Sequence, residues 1–356
     1  MNEPSRASDS QPSATIADVA ELAGVSTATV SRVLSGHSRG RGDSRNRVLS
    51  AVRTLEYRPS SVARSLKLRT THTLGLLITD IQNPFFPELV RAIEDRARSR
   101  GYVVLLGNGA NDREREAAFL ELLEARRVDG VLIATSGLTH RHARWLDSAR
   151  LPTVLVNSET RDGSRPAAMS DNRAGGRLAA EHLLALGHRR LGLVTVSLDD
   201  PPAAERLAGL HLALDSPSAQ GATVTLEHCE SNVASGGSAT ARLLQANPDV
   251  TGILCYNDVV AFGALRAIRA SGRSVPLDVS VVGFDDIALA GFAEPSLTTV
   301  AQDIPALGGW VVDRLLDSLA GQRERVVPSI YETVRLPVRL VVRATTAVAQ
   351  RAITDG

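Results

Sequence analysis

Two rhythms of apolar residues divide the chain. Between Ile16 and Leu55 the apolar positions recur three and four apart, and from Leu74 onward short apolar runs alternate with amphipathic stretches. In the first region Ile16, Val19, Ala20 and Ala23 mark a helix, with Thr15 and Asp18 spaced as a capping box and Gly24 as its stop. Ser26 then reads as the N-cap of a second helix, and Val25 and Val30 stand at the two positions of a hydrophobic staple. Val30, Val33 and Leu34 turn inward on that helix, which leaves Thr27, Ala28, Ser31 and Arg32 on its outer face. A third stripe of Val48, Val52 and Leu55 ends before Tyr57 and Pro59. Two helices joined by a short Gly-containing turn, with a third completing the core, form a helix-turn-helix unit.

The second rhythm predicts buried parallel strands at Leu74–Ile78, Val103–Leu106, Val131–Ile133, Val154–Val156, Leu191–Val196, Ile253–Leu254 and Ser280–Phe284. Amphipathic segments such as Glu88–Arg100, Arg113–Arg126 and Arg177–Leu186 lie between them. Repeated strand–helix–strand units build a doubly wound sheet, with ligands beyond the carboxyl ends of its strands. Residues 72–345 overfill one such sheet, so two similar lobes are expected, with crossings at Asn172–Gly176 and near Gln302. The expected organisation is a tail (1–14), a small all-α helix-turn-helix domain (15–58), a hinge (59–71), an α/β two-lobed body (72–345) and a second tail (346–356). The lobes would comprise about 72–171 with 302–332, and about 172–301 with 333–345.

Charge sharpens this division. The net charge of +1 conceals a basic head: residues 1–70 hold 11 Lys and Arg against 6 Asp and Glu, and the remainder holds 29 against 33. Only the head is suited to meet a polyanion. No apolar run reaches the length of a membrane span, and the polar first fourteen residues lack the apolar stretch of a signal peptide. With two cysteines, Cys229 and Cys255, no disulfide framework or metal site is expected, which points to a reducing cytoplasm. No nucleophile elbow, zinc-protease motif or phosphate-binding loop is present. An enzyme and an extracellular binding protein are therefore the weaker readings, and no cofactor is expected.

The outer face of the second helix is slim, and Arg32 is its one long hydrogen-bonding side chain. Such a helix enters a major groove, where an arginine reaches a guanine edge while Thr27 and Ala28 meet a thymine methyl or the backbone. Residues 15–34, from Thr15-Ile16-Ala17-Asp18-Val19-Ala20 to Val30-Ser31-Arg32-Val33-Leu34, closely resemble the DNA-reading head of the lactose-repressor (LacI/GalR) family. The similarity extends through Tyr57-Arg58-Pro59-Ser60 into the hinge. It departs at Gly36–Asp43, where Arg41 takes the usual cap position of the third helix and Asp43 or Ser44 is expected to cap instead. The resemblance implies a sequence-specific regulator, a repressor bound as a homodimer to a palindromic operator in double-stranded DNA. Its reading face would be Ser26, Thr27, Ala28, Ser31 and Arg32. Residues 60–67 would form a hinge helix too short to be stable alone, touching the minor groove through Val62, Ala63, Leu66 and Lys67. Leu66 would be the wedge at the central base step, beside the chain's sole lysine.

The body resembles the same family at Asp80-Ile81-Gln82-Asn83-Pro84-Phe85-Phe86, Asp171-Asn172-Arg173, Arg206-Leu207-Ala208-Gly209, Asn257-Asp258 and Val282-Gly283-Phe284-Asp285-Asp286. This implies clamshell binding of a small polar effector, sugar-like at the level of the family. Carried over by position, Phe85 and Phe86 line the first lobe, Arg206, Asn257 and Asp285 hydrogen-bond the effector from the second, and Gln302 lies near the crossing. Asp258 reads as the N-cap of the helix Val259–Arg269. Ser231 stands where many relatives carry a stacking aromatic.

Overall fold

The structure, a computed structural model, describes residues 14–34, 42–57, 70–135, 137–138, 140–149, 151–160, 162–324, 331 and 333–350. Residues 1–13 of the first tail and the hinge positions Val62, Ala63, Leu66 and Lys67 lie outside the described residues. The chain separates into two compact units, residues 1–71 and 72–356.

The first unit holds helices α1 (Ile16–Ala23), α2 (Thr27–Leu34) and α3 (Asp43–Thr54). The capping box is formed at α1: Thr15 Oγ1 accepts from the Asp18 N–H, and the Asp18 carboxylate accepts from the Thr15 N–H at 2.7 Å. Gly24 closes that helix at φ 59°, a left-handed conformation that glycine adopts without strain. Val19, Ala20, Ala23, Val30, Val33, Val48 and Ala51 make the core, with Val25 packed against it as the staple requires. At α3 the expectation fails. Gly42 is the N-cap and no side chain caps the helix, because the Asp43 carboxylate turns to Arg47 at 3.2 Å.

The second unit contains two six-stranded sheets. The first uses β1 (Thr73–Ile78), β2 (Val103–Asn108), β3 (Gly130–Ala134), β4 (Thr153–Val156), β5 (Ala167–Ser170) and β11 (Thr333–Leu336), in the order β11-β5-β4-β3-β1-β2 and parallel throughout. The second uses β6 (Arg190–Thr195), β7 (Thr223–His228), β8 (Gly252–Cys255), β9 (Ser280–Asp285), β10 (Thr298–Gln302) and β12 (Val338–Val341), in the order β12-β10-β9-β8-β6-β7. Among the described strands, only β12 runs antiparallel to its neighbour.

Alternation along each strand supplies both faces. Leu76 and Ile78 pack beneath α4 (Phe85–Ser99) and α12 (Ile304–Glu324), whereas Leu77 faces α5 (Arg113–Ala125) and α6 (His140–Ser148). In the second lobe Leu254 and Val282 join α7 (Asn172–Ala185) and α8 (Pro201–Leu214). Their neighbours Ile253 and Val281 join α9 (Val233–Ala246), α10 (Asp258–Ala270) and the short α11 (Ala288–Phe292).

Three boundaries differ from expectation. Asn172–Gly176 is the opening of α7, so the first crossing is confined to Asp171, whose side chain caps that helix. The stretch 333–336 is β11 and completes the first lobe, so the last crossing falls at Pro337 and not before Thr333. The body also continues past 345. Ala347 N–H donates to Ser280 Oγ and Ala349 N–H donates to the Leu186 carbonyl.

Candidate functional site

The two sheets face one another across a cleft of about 660 Å³, its open side included. Its walls are the carboxyl ends of strands and the helix starts that follow, where a doubly wound sheet leaves polar backbone unpaired. All six of the expected effector residues, Phe85, Phe86, Arg206, Asn257, Asp285 and Gln302, line this one cleft.

Arg206 is positioned by an unusually close helix pair. A Cβ on Gly176 would stand 2.1 Å from the Arg206 carbonyl oxygen, and one on Gly209 would stand 2.0 Å from that of Arg173. Only glycine permits α7 and α8 to approach this far, and Arg206 is thereby brought to the cleft. Its Nε donates to Asn172 Oδ1 at 2.9 Å, and its Nη1 donates to the Tyr256 carbonyl. The guanidinium also lies over the ring of Tyr256, 4.8 Å from the centroid. Its Nη2 remains 4.0 Å from Asp285 Oδ1.

Asp285 ends β9 with φ 117°, a left-handed value that costs a non-glycine residue about 1–3 kcal/mol. Burial raises its carboxyl to about 7, against the opposing pull of Arg206 and of the Gln302 amide donor. Gln302 Nε2 donates to Asp285 Oδ1 at 2.6 Å, and Gln302 Oε1 accepts from Ser170 Oγ at 2.5 Å. Asp200, the N-cap of α8, is raised to about 6, again chiefly by burial, and accepts from the Tyr256 hydroxyl at 3.4 Å.

Asn257 caps α10 through the Val260 N–H at 3.0 Å, so it takes the role expected of Asp258. Its Nδ2 donates to Ser231 Oγ at 2.8 Å. Asp258 is buried behind the cap and accepts from Thr299 Oγ1 and the Ile287 N–H. Burial holds that carboxyl far above its ordinary range, and it is structural. Phe85 and Phe86 are at once core and cleft wall: their rings meet edge-on at 5.3 Å within the first-lobe core, and both border the cleft.

Several lining residues were not among the expected effector contacts: Asp80, which opens a family motif, and Asn111, Asn157 and Tyr256, which no motif carries. Asp80, Asn111 and Asn157 fall within three residues after a strand's end, a placement that itself marks the mouth of a doubly wound sheet. Tyr256 directly follows β8 and has the same placement.

On the helical unit, Ser26 Oγ accepts the Thr29 N–H at 3.2 Å and so caps α2. Thr27, Ala28 and Arg32 are exposed beside a half-buried Ser31, on the face opposite Val30 and Val33. Arg32 lies along its own helix, with Nε 3.4 Å from the Ala28 carbonyl.

Two family models match. One, described as bacterial regulatory proteins of the lacI family, covers residues 15–60, and a periplasmic-binding-protein-like domain covers 180–346. The ribose operon repressor of Halalkalibacterium halodurans is 39% identical over 332 residues, spanning 93% of this chain and 97% of that protein. The chain belongs to the lacI family of bacterial regulators. Among solved structures of the family, the lac repressor dimer bound to operator and the anti-inducer ONPF superposes with a TM-score of 0.83 at 32% identity, over 94% of this chain and all of that one. A lacI-family regulator from Enterococcus faecium with bound ribose matches with a TM-score of 0.68 at 34% identity, over 78% of this chain and all of that one. No helix among the described residues is long and apolar enough to cross a membrane.

Proposed function

We propose that this lacI-family protein is a sequence-specific DNA-binding repressor whose hold on a palindromic operator is set by a ribose-like monosaccharide seated between the lobes. The observation that carries this reading is the cleft itself, where donors and acceptors from both sheets converge beside an apolar wall. Arg206 and the amides of Asn257 and Gln302 offer N–H groups, while the carboxylates of Asp80 and Asp285 accept. A sugar hydroxyl is both donor and acceptor, so a compact polyol satisfies both sets, with its C–H face against Phe85 and Phe86. The ribose operon repressor and the ribose-bound regulator among the relatives favour a pentose.

The DNA-reading role rests on α2. Thr27, Ala28, Ser31 and Arg32 would enter the major groove, with Ser26 at the start of the helix near the phosphates. Val62, Ala63, Leu66 and Lys67 would extend the contact into the minor groove. One such helix reads only a few base pairs, so two copies of the chain on two half-sites are required. The reading assigns the chain no catalytic step and no cofactor.

The test selects preferred duplexes from random DNA with the purified full-length protein, then measures affinity for the selected site with and without D-ribose. A palindromic consensus and at least a tenfold change in affinity on adding ribose are expected. Operator affinity unchanged at millimolar ribose would remove ribose as the effector, and the absence of any consensus would remove the repressor reading.

A further inference from the structure

The residues at the cleft floor close a ring. Ser170 Oγ donates to Gln302 Oε1, and Gln302 Nε2 donates to Asp285 Oδ1. Asp285 faces Arg206, Arg206 Nε donates to Asn172 Oδ1, and Asn172 Nδ2 returns to the Ser170 carbonyl at 3.1 Å. Ser170 and Asn172 flank the first crossing between the lobes, on either side of Asp171, and Gln302 ends β10 at the second. The ring therefore ties two of the three connecting segments to each other and to the cleft's charged pair.

Its side chains are well shielded. Asn172 and Ser170 are each 1% exposed and Asp285 is 5% exposed, so water competes poorly for these bonds. Both polar atoms of the Asn172 side chain are engaged in the ring, its Oδ1 with Arg206 and its Nδ2 with Ser170. Of Asp285's two oxygens, Oδ1 serves both Gln302 and Arg206. A ligand hydroxyl donating to Asp285 or accepting from Arg206 binds side chains whose other atoms already hold the crossings in register.

We propose that Ser170 and Asn172 are positioning residues that couple occupancy of the cleft to the angle between the lobes, acting through Gln302 and Arg206 without touching the ligand. This rests on the reading of the cleft as an effector site. A ligand that pulls on Asp285 and Arg206 changes the strength of the Gln302–Ser170 and Arg206–Asn172 bonds. The two crossings then shift together, as a ring of bonds has few independent ways to relax.

The experiment compares full-length wild type with Ser170→Ala, Asn172→Asp and Ser170→Thr. Asn172→Asp keeps the acceptor for Arg206 but removes the donor that closes the ring. Ser170→Thr keeps the hydroxyl and serves as the conservative rescue. Where wild type responds to D-ribose, Ser170→Ala and Asn172→Asp should lose at least four-fifths of the ribose-induced change in operator affinity. Their ribose affinity, read by calorimetry, should fall less than tenfold, and Ser170→Thr should restore the response. A response retained in both ring-opened variants, or lost only in proportion to ribose affinity, overturns the coupling.

Where wild type ignores D-ribose, the choice of effector has failed and the ring is tested without ligand. The distance between a fluorophore pair placed on the two lobes through genetically encoded residues should broaden in Ser170→Ala and Asn172→Asp and not in Ser170→Thr. Distributions identical to wild type in both ring-opened variants overturn the proposal. A variant that fails to fold shows itself by its circular dichroism, and the other ring-opened variant then decides between the two outcomes.

Discussion

The guanidinium carbon of Arg206 lies 3.5 Å from the centroid of the Phe284 ring, inside hydrogen bonds to Asn172 and to the backbone of Tyr256. A planar fork satisfies these partners at once while stacking on the ring, which an ammonium cannot do. Arg206→Lys keeps the charge opposite Asp285 and so tests geometry alone. The expected outcome is a ten- to hundredfold loss of D-ribose affinity by calorimetry, corresponding to about 1.5–3 kcal/mol for a hydrogen bond to a charged group. Ribose-free operator affinity should stay within threefold of wild type. Ribose affinity at the wild-type level in the lysine variant would take Arg206 out of the site.

Asp285 carries a pH signature. Its folded-state carboxyl is raised to about 7, whereas an unfolded aspartate titrates near 3.9. Between those values the folded protein binds the extra proton, so this group's contribution to stability is complete below about pH 4, is lost as pH rises to about 7, and is constant above. Urea unfolding of wild type relative to Asp285→Asn should show this difference, with a slope approaching about 1.4 kcal/mol per pH unit in the window. Parallel pH profiles for the two proteins would contradict the assignment.

The α7–α8 contact has no room for a methyl group. Gly209→Ala would place a Cβ 2.0 Å from the Arg173 carbonyl, so the helices must part, at a typical overpacking cost of about 1–3 kcal/mol. Because Arg206 rides on α8, ribose binding should weaken as well. Gly309 on α12 has nothing within 4 Å of its would-be Cβ, and alanine there should stabilise by about 0.5–1 kcal/mol through helix propensity. Unfolding midpoints of the two variants moving in the same direction would disagree with this packing.

Arg32 is the long polar side chain of the exposed α2 face. Replacement by alanine should relax base preference at one position in each half-site by about 1–3 kcal/mol, read by competition among operator variants. The salt dependence of nonspecific binding should persist, as Arg45 and Arg53 remain exposed for phosphate contact. A uniform loss across all sequences would make Arg32 a phosphate contact instead.

Central strands such as β1 and β9 were readable from the sequence because, buried on both faces, they are written as unbroken apolar runs. The strands that escaped lack that signature. β5 reads Ala-Ala-Met-Ser, β10 reads Thr-Thr-Val-Ala-Gln, β7 alternates threonine with apolar residues at a sheet edge, and β11 and β12 are four residues each, separated by Pro337. The misplaced third crossing has the same origin, since nothing local distinguishes Thr-Val-Arg-Leu of one lobe from Val-Arg-Leu-Val of the other. In the cleft, the effector positions carried over from the family were legible, whereas Asn172, though part of a family motif, was read only as the start of a lobe crossing. Its part in holding Arg206 depends on the approach of two helices distant in sequence, which no local pattern encodes.

The placement of β11 bears on how the body comes into being during synthesis. Thr333–Leu336 pairs with Ala167–Ser170, and Val338–Val341 pairs with Thr299–Gln302, so each sheet receives its outermost strand only when nearly the whole chain has left the ribosome. Until then β5 and β10 each present an open row of backbone donors and acceptors, the kind of edge at which nascent chains adhere to one another. Both lobes are thus completed together by one short segment, and a message truncated between codons 303 and 333 would yield two unfinished lobes rather than one sound one.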